Sequence, residues 1–88
     1  MISRDFKLSN KLGLHARPSA QLTQMAGRFA SEIHNSRNGR RVNAKSIMGV
    51  MMLAAGQGST VTVEAEGEDA ERAVDAIGRL IADGFGEE

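Results

Sequence analysis

The sequence predicts an α+β fold: an open-faced two-layer sandwich in the order β-α-β-β-α-β-α, a four-stranded antiparallel sheet covered on one face by three helices. Three observations carry that expectation. The stretch "STVTVEAEG" alternates without error, Val61, Val63 and Ala65 against Thr60, Thr62, Glu64 and Glu66, as a strand with one wet face should. Two apolar stripes, one on Leu22, Met25, Ala26 and Phe29 and one on Ala70, Ala73, Val74, Ile77 and Ile81, recur at helical spacing. Asn38 and Gly39 mark a two-residue hairpin, because both central residues of a type I′ turn need positive φ. Strands with one apolar face and helices with one apolar stripe bury both by stacking in two layers.

The elements follow in order. Ile2, Phe6 and Leu8 share one side of a first strand that Arg4 interrupts, which is best tolerated near an edge or strand end. The first helix starts near residue 16, and Gly27 weakens its last turn. The hairpin then pairs Arg37 with Arg40, Asn35 with Val42 and Ile33 with Ala44, so Ile33, Val42 and Ala44 face inward while His34, Ser36, Arg41 and Asn43 face outward. Next comes "SIMGVMMLAAG", apolar nearly all round but only about two turns long. Its Val50, Leu53 and Ala54 fall on one arc, and Ile47, Met48, Met51 and Met52 on the other. Only one arc can face a core, so the other is either wrapped by the domain or left as an adaptable docking surface. After the alternating strand, Glu68, Asp69 and Glu71 suit the first turn of a last helix. The tail "GFGEE" is expected to fray.

Composition bounds the function. A chain of 88 residues makes one small domain over 1–88, burying roughly 60 to 65% of its unfolded surface. Without cysteine there is no disulfide framework and no thiolate metal site, and no metal or cofactor is expected. The opening "MISRDFKLSN" lacks the apolar run of a secretory signal, so a cytoplasmic location is expected, and no window suits a membrane span. Residues 1 to 44 carry eight Lys and Arg against two acids, and residues 45 to 88 carry three against nine. This hints at a basic face around the segment that holds His15, one that attracts an acidic partner. Three phenylalanines and one arginine trio, Arg37, Arg40 and Arg41, make a poor nucleic-acid platform, and a solvated turn is the simpler account of the trio.

The segment "LGLHARPSA" places His15, Arg17 and Pro18 where a loop meets the first helix. There the amides of Ala16 and Arg17 lack helical partners and the helix dipole is positive, which favours an anion. Pro18 is acceptable because its missing N–H would have had no partner. Arg17 adds a planar fork of donors suited to phosphate, and a neutral imidazole is a competent nucleophile for group transfer. A loop histidine beside a proline is also what a plain surface or capping residue looks like. With no paired carboxylate or nucleotide-binding glycine loop, a self-contained enzyme is not expected.

"GLHARPSA" followed by "NAKSIMGVMML" at this distance resembles HPr, the histidine phosphocarrier family of the phosphoenolpyruvate-dependent phosphotransferase system, over essentially the whole chain. The resemblance implies that His15 is phosphorylated on Nδ1 by phospho-enzyme I and passes the phosphoryl group to a IIA protein or domain, with Arg17 stabilising it in transit. It implies a phosphoryl-transfer intermediate acting as a monomer in sugar uptake or its regulation. Leu14, Ala20, Gln21, Gln24, Ile47, Met48 and Met51 would form one docking surface around His15 for both donor and acceptor.

Ser46, just ahead of the short apolar helix, is by its type a good N-cap. By resemblance it is also the serine that an HPr kinase/phosphorylase modifies in some members. Branch signals conflict: "NKLGLHARP" and the acidic tail look like the nitrogen-related branch, NPr, whereas "KSIMGVM" looks like the serine-regulated sugar branch. The alternatives are therefore a nitrogen-branch protein or a Ser46-phosphorylated regulator acting mainly by binding.

Overall fold

A computed structural model describes residues 1–87. Its elements are β1 (Ile2–Lys7), α1 (Ala16–Ala26), β2 (Glu32–Arg37), β3 (Arg40–Asn43), α2 (Ile47–Met51), β4 (Thr60–Glu66) and α3 (Ala70–Ala82), followed by a 3-10 turn at Gly84–Gly86. The four strands form one antiparallel sheet in the order β1-β4-β2-β3. The fold is the open-faced sandwich that the patterning predicts.

β4 takes a central place because its inward face is wholly apolar: Val61, Val63 and Ala65 are buried, while Thr62 and Glu64 face out. β1 is an edge, and Arg4, opposite Val63, therefore lies on the helix side yet escapes burial by reaching Asp75 on α3. The hairpin register matches expectation, with Arg37 opposite Arg40, Asn35 opposite Val42 and the Ala44 amide donating to Ile33 O at 2.9 Å. The same register turns Asn35 inward, where it is fully buried.

All five stripe residues of α3 are buried. Gly78 on that helix lies directly against the Phe6 ring, and a Cβ there would collide with it. Leu22 and Ala26 anchor α1, whereas Phe29 falls beyond the helix end and is only partly buried against the core. The acidic run before α3 works differently from expectation. Asp69 turns its carboxylate to the neighbouring segment, accepting from the amides of Ala30 and Ser31, both at 2.9 Å, and from the Ser31 hydroxyl. The Ser31 hydroxyl and then the Ala30 amide hold its carboxyl down at about 2.

The tail is the clearest departure. Residues 84–87 do not fray: Phe85 is buried in the main core, and the chain folds back through positive φ at Gly84, Phe85 and Gly86. Glu88 lies outside the described residues. Burial of a phenylalanine, worth about 1.5 to 3 kcal/mol, outweighs the order of 1 kcal/mol for one strained φ. Among the described residues no helix is long and apolar enough to cross a membrane.

Candidate functional site

The loop from β1 to α1 is pinned by main-chain bonds before any side chain acts. Gly13 N donates to Asn10 O at 3.2 Å and Leu14 N to Ala55 O at 2.9 Å. Gly13 has φ +64, and a Cβ there would fall 2.7 Å from Gly56 Cα and onto the Ala55 carbonyl oxygen. Only glycine allows the loop to lie this close to the β4 approach and still turn into α1.

His15 is the N-cap residue of α1, with extended backbone at φ −80 and ψ −170, and its side chain does not cap the helix. The first helical bond runs from Ser19 N to His15 O at 3.0 Å, and Pro18 has no amide to place. The amides of Ala16 and Arg17 consequently have no partner among the described residues, and both residues are exposed. The Arg17 guanidinium likewise makes no hydrogen bond or ion pair there. This is a set of free donors at the positive end of a helix, a site that favours an anion.

The imidazole, 35% exposed, meets Glu87 from the folded tail, with Nε2 3.1 Å from Oε2. A carboxylate only accepts hydrogen bonds, so Nε2 carries the hydrogen and the lone pair of the neutral ring belongs to Nδ1. Nδ1 has no partner among the described residues. Glu87 is in turn held by Asn10, whose Nδ2 donates to Oε1 at 3.1 Å and to Gly13 O at 2.8 Å. Neither Glu87 nor Asn10 is evident from the sequence. An acidic tail and a polar loop residue carry no periodic signal, and only the return of Phe85 into the core brings them to the ring.

Ser46 sits at the start of α2 as its N-cap, its Oγ accepting from Gly49 N at 3.1 Å. On α2, Val50 is buried and Leu53 just beyond it is too, while Ile47, Met48, Met51 and Met52 are exposed, Met48 to 71%. Ala54 departs from the inward arc: it lies past the helix end at φ 51 and is exposed. α1 packs beside α2 and carries exposed Gln24 with half-buried Ala20 and Gln21.

One expected docking residue is corrected. Leu14 is only 3% exposed, because its amide is tied to Ala55 and its carbonyl accepts from Ser19 Oγ at 3.1 Å, which turns the side chain into the core. Leu12, at 67%, is the exposed leucine of this loop.

The arginine trio is engaged elsewhere. Arg37 and Arg40 donate to Leu53 O and Met52 O at the end of α2, at 3.2 and 3.3 Å, and Arg41 pairs with Glu64 at 2.9 Å. His34 lies opposite Glu64 on the outer face of the sheet, away from the helix layer. No group of three or more metal-ligating side chains occurs among the described residues.

Comparison with known proteins places these features together in one family. The family model described as the PTS HPr component phosphorylation site matches residues 2–83. The chain is 64% identical over 87 residues to the phosphocarrier protein HPr of Cupriavidus necator, covering 99% of this chain and 98% of that one. It is 47% identical over 88 residues to the HPr of Xylella fastidiosa, covering 100% and 99%. The crystal structure of HPr-C-His from Thermoanaerobacter tengcongensis superposes with a TM-score of 0.96 at 46% identity, covering 100% and 99%. An open helix start bearing a histidine, on a sandwich of this topology and with likeness running the length of the chain, makes this protein a member of the HPr family of phosphotransferase-system phosphocarriers.

Proposed function

We propose that this protein accepts a phosphoryl group on Nδ1 of His15 from phospho-enzyme I and delivers it to a IIA protein or domain. The observation that carries the reading is the division of labour at one helix start: Nε2 of His15 is engaged by Glu87 while, among the described residues, its Nδ1 and the amides of Ala16 and Arg17 have no partner. In the accepting step the Nδ1 lone pair forms an N–P bond as the donor's bond to phosphorus breaks, the electron pair returning to the donor. The product ring gains positive charge, and Glu87 lies against its Nε2–H. Phosphoryl transfer of this kind needs positioning and charge stabilisation more than covalent assistance, and the Ala16 and Arg17 amides with the Arg17 side chain supply both.

The docking surface in this reading is Ala20, Gln21 and Gln24 on α1 with Ile47, Met48 and Met51 on α2. Leu12 takes the place of the buried Leu14. Donor and acceptor approach the same imidazole, so they bind in turn, and fast release follows from that. Ser46 phosphorylation fits as a regulatory event: the phosphate adds negative charge at this surface while keeping acceptor oxygens near Gly49 N, so the fold persists. The name shared by the compared relatives, phosphocarrier protein HPr, supports the carrier role over a nitrogen-branch or purely binding role.

The test is incubation with enzyme I and labelled phosphoenolpyruvate, followed by addition of a IIA protein. Acid-labile, alkali-stable label that is lost in His15→Ala and is chased onto IIA is the expected result. Label that survives His15→Ala contradicts the assignment.

A further inference from the structure

We propose that Asn10 is a positioning residue for phosphoryl transfer: by holding Glu87 against Nε2 of His15, it selects the ring tautomer that leaves Nδ1 as the nucleophile. The inference rests on the carrier reading above and adds a residue that contacts neither the phosphoryl group nor the reacting nitrogen.

Asn10 is 4% exposed, an uncommon place for an amide side chain in a surface loop. Its two neighbours on the Nδ2 side, Gly13 O and Glu87 Oε1, are both acceptors. The amide must therefore present its NH₂ to both, which fixes its orientation and leaves Oδ1 buried with no partner among the described residues. A carboxylate at this position would set oxygen against oxygen twice. One buried side chain thus ties the loop two residues before His15 to the tail that carries Glu87. With Oε1 held by Asn10, Oε2 is the oxygen left for Nε2. Without that hold, the glutamate side chain regains other rotamers, and the ring is free to place its hydrogen on either nitrogen.

The experiment uses the full chain labelled with ¹⁵N, unphosphorylated, at a pH where the imidazole is neutral. Long-range ¹H–¹⁵N correlations report the Nε2–H to Nδ1–H ratio for His15, and His34 on the outer sheet face serves as the internal reference. The wild-type ring is expected to hold its hydrogen almost wholly on Nε2. Asn10→Asp and Asn10→Ala should each reduce that ratio by about tenfold, the usual scale for losing a charge-assisted hydrogen bond, with His34 unchanged. Glu87→Gln, a near-isosteric change whose folding is checked by the amide spectrum of the same labelled chain, should do the same, because an amide can either donate or accept. The double variant Asn10→Ala with Glu87→Gln should go no further than either alone, since Asn10 acts through Glu87. An unchanged ratio in Glu87→Gln, or in a folded Asn10 variant, overturns the proposal, as does an additive effect in the double variant. These outcomes are separable from failure of the carrier reading, which shows as a wild-type chain that takes no label at His15 whatever its tautomer.

Discussion

α1 and α2 begin alike and are used in opposite ways. Each starts on an extended residue, His15 at φ −80 and ψ −170 and Ser46 at φ −115 and ψ 116. Ser46 bends its hydroxyl onto Gly49 N and closes the helix on itself. His15 turns its ring to Glu87 instead, and the amides of Ala16 and Arg17 stay open among the described residues. A third start, at α3, is different again, because Asp69 spends its carboxylate on Ala30 and Ser31 of another segment. Backbone geometry offers every helix the same orphan amides, and the side chain at the cap decides whether they are used locally or kept for a ligand.

The sharpest way to break this contrast is through the loop that delivers His15. Gly13→Ala combines overpacking against Gly56 and Ala55, about 1 to 3 kcal/mol, with about 1 kcal/mol for a side chain at positive φ. Urea denaturation should show a loss of about 2 to 4 kcal/mol, and a near-neutral result would mean that the loop can lie elsewhere. Next in size is Arg17→Ala. Removing an exposed side chain that has no partner among the described residues should leave stability within about 0.5 kcal/mol, while the rate of His15 labelling in quench-flow drops by about 10²-fold. Ser46→Ala should show the reverse pattern, a loss of about 1 kcal/mol in denaturation with the labelling rate unchanged.

The smallest effect concerns the third start. Hydrogen bonds from Ser31 and Ala30 lower the Asp69 carboxyl from 3.8 to about 2 in the folded chain. A lowered pKa stabilises the fold above the unfolded value, and that contribution fades as pH falls from about 4 toward about 2. In Asp69→Asn this part of the acid limb should flatten, whereas an unchanged acid profile would assign it to other carboxylates.

Much of this was legible in the residues alone. Alternation along β4, the stripe of α3 and the Asn38–Gly39 turn each state a local rule that the tertiary fold obeys, so these elements and the register of the hairpin were readable. His15 at the helix start was readable too, since Pro18 belongs in a first turn. What was not readable depends on contacts distant in sequence. Leu12 and Leu14 are two residues apart in a loop without strand periodicity, and only the bond from Leu14 to Ala55 decides which one turns inward. Phe85 between two glycines looks like a frayed end until the folded core buries it. Asn10 and Glu87 become neighbours 77 positions apart as a consequence of that capture.

The most direct test of the open start of α1 is to phosphorylate the ¹⁵N-labelled chain with enzyme I and phosphoenolpyruvate and to record phosphorus–nitrogen coupling on the imidazoles. Coupling to Nδ1 of His15, with none at His34 and none in His15→Ala, is the result predicted. Coupling at Nε2, or phosphorus on any other residue with His15 unmodified, would contradict the assignment of this helix start as the phosphoryl site.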